Sequence, residues 1–353
     1  MTGPTMRCYR LVEYGAPLAA RDCAVPQPEG SEVLLKVSGV GVCHSDLHIS
    51  DGHFDLGQGR RLPLGATVLP LTLGHEVAGE VAALGADATG LAVGEQVLAF
   101  PWIGCGACGT CARGDEHLCG RPRALGVTRD GGYAEYLLVP HPRYLIALDG
   151  LDPVAAAPLA CSGLTTYGAL RKFGPALERE PLVIIGAGGL GLMALGLLRM
   201  MAAHGVVVVE PDHARRDAAL AAGALAAFDP AAERIAKAVR EAAGGSIRMV
   251  LDLVGSGDSV ALGLDLLGVG GKLVVVGLIG GDVALSVPLL PLKSLTVQGS
   301  YVGSLAELRD LVALAKRHGL PQLPIVRRPL AEAPDALADL HRGRVVGRTV
   351  LVP

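Results

Sequence analysis

Eight cysteines stand at positions 8, 23, 43, 105, 108, 111, 119 and 161, and four of them fall within fifteen residues. Cys105, Cys108, Cys111 and Cys119 form a C-x2-C-x2-C-x7-C run interleaved with Gly104, Gly106, Gly109 and Gly114. Thiolates this close in sequence converge on one ion only where the backbone turns tightly, which glycine permits. Four thiolates fill a tetrahedral zinc, leave no position for substrate and quench Lewis acidity, so the expected role is structural. An iron–sulfur cluster is the rival, but the ferredoxin run has three residues before its fourth cysteine and a proline after it. His117 is an alternative to Cys119 as fourth ligand, and a solvated loop histidine is its plainer reading. Cys8 and Cys23 belong to no such constellation and read as ordinary thiols.

A second group of ligand-type residues is dispersed. Cys43, His44, Ser45, Asp46 and His48 crowd into six residues, Gly74-His75-Glu76 adds an imidazole and a carboxylate, and Cys161 stands alone. Singly, each is more often structural than a ligand. Together they could supply Cys, His and Cys from three separated places, as a catalytic zinc assembled by folding requires. Three protein ligands leave the fourth position for water or an alcohol.

Gly186-Ala187-Gly188-Gly189-Leu190-Gly191 reads G-x-G-x-x-G between an apolar, strand-like segment at 182–185 and an apolar helix start. An acid, Glu210, follows nineteen residues after Gly191. That context turns a weak motif into a dinucleotide fingerprint, with the carboxylate accepting from the adenosine ribose and repelling a 2′-phosphate, so NAD is preferred over NADP. Arg215 and Arg216, five and six residues beyond Glu210, are either cofactor neighbours or a solvated helix face.

These residues need elements to hold them. The first 150 residues are rich in Gly and Pro, with short strand-like segments such as 32–37 and 133–139, which suggests an irregular, mostly β domain. From about Pro153, Val-rich strands alternate with Ala- and Leu-rich helices: 182–185, 190–201, 206–210, 213–222, 249–254 and 272–278. That alternation predicts βαβ units on a parallel sheet. Alanines at 218–227 favour helix. After about Tyr301 come a helix at 305–318, another near 335–342 and a strand at 348–352, which spacing alone attaches to neither domain.

Composition narrows the functions. The chain has 353 residues, 50% hydrophobic and 18% charged, enough for two domains with full cores. Aromatics are 3% and the formal charge is −3, which removes both the stacking platforms and the attraction that nucleic acids or anionic membranes require. The 18 uncharged residues from Pro181 to Leu198 include six Pro or Gly and divide into strand, turn and helix, so they are not expected to span a membrane. No apolar segment follows a basic start within Met1 to Arg10, so a cytoplasmic chain is expected.

The motifs together resemble the zinc-dependent alcohol dehydrogenases of the medium-chain dehydrogenase/reductase superfamily, over nearly the whole chain. The resemblance implies an α/β fold: a Rossmann doubly wound parallel sheet (153–300) inserted in a mostly β GroES-like catalytic domain (1–152 and 301–353), with a structural zinc lobe at 101–120. It implies two zinc ions per chain and NAD. Cys43, His75 and Cys161 would be catalytic zinc ligands, with Glu76 beside the metal and Asp46 orienting His75. Ser45 and His48 resemble the family's proton relay. Thr165 and the backbone at Val276-Gly277-Leu278 would meet the nicotinamide, and Arg348 the pyrophosphate. The implied reaction is reversible hydride transfer from a primary or secondary alcohol to NAD+, giving an aldehyde or ketone.

Segments 100–105, 141–144 and 298–303 resemble a bacterial branch that includes 6-hydroxyhexanoate dehydrogenase. Trp102 and Tyr301 are then candidates for the substrate pocket wall, or ordinary core. A polyol dehydrogenase of the same superfamily would usually carry Glu where this chain has Cys161, and an idle zinc-binding scaffold is the reading outside enzymes. Family habit and the apolar segment 295–297 suggest a homodimer or homotetramer built by edge pairing.

Overall fold

The computed structural model describes residues 3–64 and 68–353. Met1 and Thr2, at the head of the expected first domain, lie outside the described residues, as do 65–67.

Strand Val33–Gly41 is the hub of the mostly β part. It pairs antiparallel with Glu76–Leu84 and Tyr136–Val139, and through Gly41 and Val40 with the last strand, Arg348–Val352. Its apolar residues are buried on both faces, as a central strand demands. Among the described residues this sheet has seven strands, all pairs antiparallel except that of Ile325–Pro329 with Arg348–Val352. Gly41, Glu76 and Arg348 therefore meet at one end of three neighbouring strands.

The other sheet has six parallel strands in the spatial order Ala226–Phe228, Val206–Val209, Leu182–Ile185, Ile247–Asp252, Leu267–Val275, Thr296–Gly299. The first strand in sequence lies between the second and the fourth. Chain direction across the sheet thus reverses between Leu182–Ile185 and Ile247–Asp252, and a ligand crevice opens outside the carboxyl ends of those strands. Gly186 sits at that point. Its turn leads into the twelve-residue helix Gly189–Met200, capped by Gly188. Here the uncharged run divides as expected, and among the described residues no helix is long and apolar enough to cross a membrane.

Helix Leu305–His318 shows why the sequence was readable at this level. Ser304 accepts from Glu307 N while Glu307 closes the capping box, and Leu308, Leu311, Val312 and Ala315 form one buried stripe. Lys316, Arg317 and His318 complement the carboxyl end. Ser304→Ala removes the cap, at about 1 kcal/mol.

Three expectations need correction. Residues 218–227 are helical only to Ala221, because Gly223 turns the chain at φ 100° and Ala226–Phe228 pairs with Val206–Val209. Sheet pairing outweighs alanine's helical preference there. The strand expected at 272–278 runs instead as Leu267–Val275. Cys8 and Cys23 are not free thiols: they form a disulfide across the hairpin of Thr5–Leu11 and Ala19–Ala24. Antiparallel register sets Cys8 opposite Arg21 and Cys23 opposite Met6, so the cysteines are diagonal neighbours.

Candidate active site and metal centres

Cys105, Cys108, Cys111 and Cys119 converge in a loop containing one helical turn, Gly109–Ala112. Their sulfurs stand 3.5 Å (Cys108 to Cys111), 3.8 Å (Cys108 to Cys119) and 4.0 Å (Cys105 to Cys111) apart. A tetrahedron with zinc–sulfur bonds of about 2.3 Å has edges of about 3.8 Å, so the residues fit the ion. The Ala107 backbone N–H is the leading cause that lowers the Cys105 thiol to about 6, and the Cys119 sulfur accepts from the Cys105 and Arg121 amides. His117 is outside the cluster.

Glu116, a residue that spacing did not reveal, ties this lobe to the body. Its buried carboxylate accepts from Gly104 N at 3.2 Å, Tyr144 Oη at 2.8 Å and Arg143 at 2.7 Å. An acid inside a thiolate-rich loop, followed later by an Arg-Tyr pair, was its only sequence signal.

The dispersed residues also converge. Ligand atoms of Cys43, His75, Glu76 and Cys161 all lie within 4.8 Å of one another, and all four residues are buried. Cys43 caps helix His44–Asp51, His75 directly precedes and Glu76 opens strand Glu76–Leu84, and Cys161 precedes helix Ser162–Arg171. His75 Nδ1 meets Asp46 Oδ1 at 3.1 Å, while buried Nε2 has no hydrogen-bond partner. An orphaned ring nitrogen beside two thiols is costly in apolar surroundings, and a cation there removes that cost. The residues fit zinc.

The buried groups of the site perturb one another strongly. The Cys161 thiol holds Cys43 well below the ordinary thiol range, against burial. Burial would lower His75, yet the Asp46 carboxylate and then the Cys43 thiol hold it well above its ordinary value. Burial lifts Glu76 to about 7 although Arg348 opposes it. Glu76 accepts from Ser162 N at 3.1 Å and from the Arg348 guanidinium.

Ser45 and His48 lie one turn apart on the same short helix, half-buried, with the His48 ring 5.1 Å from that of Phe54. Burial lowers His48 from its ordinary value. Trp102 packs 5.3 Å from His75 and 6.1 Å from Tyr301, and its indole N–H donates to Ala160 O at 3.3 Å. Trp102 is buried and Tyr301 half-exposed.

At the crevice, Gly191 lies so close to Gly186 that a Cβ would stand 2.1 Å from the Gly186 carbonyl oxygen, whereas one on Gly188 would meet nothing within 4 Å. The turn is tight on one side and open on the other, as a pyrophosphate cradle requires. Glu210 is buried at the end of Val206–Val209, accepting from Ala187 N at 2.7 Å and Asp212 N at 3.0 Å. Buried Thr165 Oγ1 and Arg348 Nε are unpartnered, and Arg348 lies against Gly189. Val276 N donates to Asp252 O at 2.8 Å, Gly277 lies against Val254 and Gly255, and Leu278 is exposed. These features fit a dinucleotide. The Arg215 guanidinium donates to Gly343 O at 2.8 Å and Val345 O at 3.5 Å, tying its helix to the C-terminal segment, and stands 3.9 Å from Glu210 Oε1. Arg216 likewise bonds Glu210 O and Pro211 O.

Comparison with known proteins defines the class. Residues 29–149 match the alcohol dehydrogenase GroES-like domain and 189–317 the zinc-binding dehydrogenase domain. A NAD-dependent alcohol dehydrogenase of Sulfurisphaera tokodaii is 39% identical over 351 residues, 99% of this chain and 100% of that protein. A NAD-dependent alcohol dehydrogenase of Saccharolobus solfataricus is 38% identical, covering 99% and 100%. The crystal structure of the alcohol dehydrogenase from Aeropyrum pernix superposes with a TM-score of 0.87 at 32% identity, covering 98% of this chain and 100% of that one. The chain belongs to the zinc-dependent alcohol dehydrogenases of the medium-chain dehydrogenase/reductase superfamily.

Proposed function

We propose that the chain is a NAD-dependent zinc alcohol dehydrogenase that reversibly converts an alcohol to an aldehyde or ketone. The observation that carries this reading is the buried convergence of Cys43, His75 and Cys161 around an unpartnered His75 Nε2. When bound, zinc supplies Lewis acidity toward the alcohol hydroxyl and NAD+ supplies the hydride acceptor. Cys43, His75 and Cys161 hold the cation, and Asp46 sets the tautomer of His75 so that Nε2 faces it. Ser45 accepts the hydroxyl proton as it gives up its own, and His48, kept neutral by burial, receives the relayed proton and passes one to solvent. Thr165 and the Val276-Gly277-Leu278 backbone orient the nicotinamide, Glu210 the ribose and Arg348 the pyrophosphate. Cys105, Cys108, Cys111 and Cys119 hold the second, structural zinc.

Trp102 and Tyr301 wall the substrate pocket, and their apolar faces favour an alcohol with a hydrocarbon body. We divide the chain at about 152 and 301, a division supported by the return of Arg348–Val352 to Val33–Gly41. Strand Thr296–Gly299 is exposed at all four residues, and among the described residues nothing pairs with its outer edge. That edge, flanked by exposed Leu292, supports pairing with a second copy in a dimer or tetramer.

The test is NADH formation, by absorbance, with 6-hydroxyhexanoate and simple primary, secondary and benzylic alcohols, each with NAD+ and NADP+. Turnover with NAD+ and an alcohol supports the reading; no turnover of any alcohol by a protein holding two zinc ions per chain contradicts it.

A further inference from the structure

Asp46 is the knot of the three-ligand centre. Its Oδ1 accepts from His75 Nδ1 at 3.1 Å and Gly74 N at 3.4 Å, and its Oδ2 from Cys43 N at 3.0 Å. Two of those donors belong to proposed zinc ligands. The fourth bond comes from much further along the chain: the Tyr133 hydroxyl donates to Oδ2 at 2.9 Å.

Tyr133 is wholly buried. Its backbone N–H donates to Leu73 O at 2.9 Å and its carbonyl accepts from Tyr9 N at 2.8 Å, so both sides of the residue are fixed. Its ring lies against Gly74, where a Cβ would meet Tyr133 Cδ1 at 2.5 Å. The phenol therefore rests on the segment that carries His75 and reaches the carboxylate that carries the His75 ring. A buried hydroxyl needs an acceptor, and any backbone carbonyl would serve. Here it meets the charged group whose rotamer sets the metal ligand, and charge-assisted bonds of this kind are the strong ones.

We propose that Tyr133 is a positioning residue for the three-ligand metal centre, fixing Asp46 and through it the ring orientation of His75. The inference rests on the reading of Cys43, His75 and Cys161 as zinc ligands. Without the hydroxyl, Oδ2 keeps only the Cys43 amide, and the carboxylate can rock about its axis and carry the imidazole with it.

The experiment is Tyr133→Phe, which removes one oxygen and keeps the ring. Zinc release to a chelating dye is followed with the four-cysteine zinc as internal reference, and visible bands are recorded after cobalt replaces zinc in the three-ligand site. We expect the three-ligand metal to be held several-fold more weakly, short of the roughly 10–100-fold that loss of a direct partner of a metal ligand such as Asp46 causes, with the four-cysteine zinc unchanged and the cobalt bands shifted. Unchanged release and bands, or equal loosening of both ions, overturns the proposal, since a merely structural tyrosine would weaken the whole molecule. Once Asp46→Ala is in place, adding Tyr133→Phe has little further effect on metal retention; additive losses overturn it too. A His75→Ala protein that still holds two zinc ions sinks the underlying ligand reading instead, so the two failures are distinguishable.

Discussion

Arg348 donates to Glu76 with both side chains buried, although 272 residues separate them in the chain. The same guanidinium lies against Gly189 of the dinucleotide turn. One side chain thus touches the carboxylate beside the metal ligands and the edge of the cofactor cradle, because the last strand pairs back onto Val33–Gly41.

Arg348→Met leaves Glu76 buried without its cation. Breaking a buried pair on one side costs about 3–5 kcal/mol, so the midpoint of urea unfolding falls accordingly. NADH binding, followed by fluorescence quenching, weakens in the same variant. Wild-type values for both would show that the contact holds nothing.

Glu116 anchors the four-cysteine lobe through three hydrogen bonds. Glu116→Ala strands buried donors on Gly104 and Tyr144, each worth about 1–3 kcal/mol. Thermal unfolding shifts down and the four-cysteine zinc is lost first on heating. The three-ligand zinc leaving first would contradict this placement.

The disulfide between Cys8 and Cys23 closes a loop over a sequence separation of 15. Denatured, zinc-stripped protein kept free of reductant should show six reactive thiols of the eight cysteines in a thiol titration. Reduction lowers stability by about 3 kcal/mol on chain-entropy grounds. Eight reactive thiols would restore the plainer reading that spacing suggested.

His48 is held below its ordinary value of 6.5 by burial, so the neutral ring that accepts a proton persists below that pH. The acid limb of kcat/KM for alcohol oxidation, which reports the free enzyme, therefore lies under pH 6.5. His48→Gln lowers kcat by about a hundredfold and shifts or removes that limb. A profile identical to wild type would take His48 out of the proton path. Folding obeys the same sign: a lowered folded-state pKa contributes stability present at neutral pH that fades as pH falls toward and through that value.

Much of this was legible in the chain itself. Local rules suffice for the four-cysteine loop, for Gly186 to Gly191 with Glu210, and for helix Leu305–His318 with its Ser304 and Glu307 cap, since each lies within a few turns of sequence. Tertiary contacts were not legible. Tyr133 reaches Asp46 over 87 residues, Glu116 finds Tyr144 over 28, and Arg215 meets Gly343 over 128, with no periodicity to announce any of them. The Cys8 to Cys23 pairing escaped because it follows from strand register. Ala226–Phe228 escaped because its neighbour in the sheet, and not its own alanines, decides its conformation.

The most direct test of the account is zinc content measured together with NAD-linked alcohol oxidation in Cys161→Ala. Loss of one of three ligands should leave about one zinc per chain, the four-cysteine ion, and abolish turnover while NADH still binds. Two zinc ions per chain with undiminished oxidation would show that Cys161 holds no metal and that the reaction proceeds elsewhere.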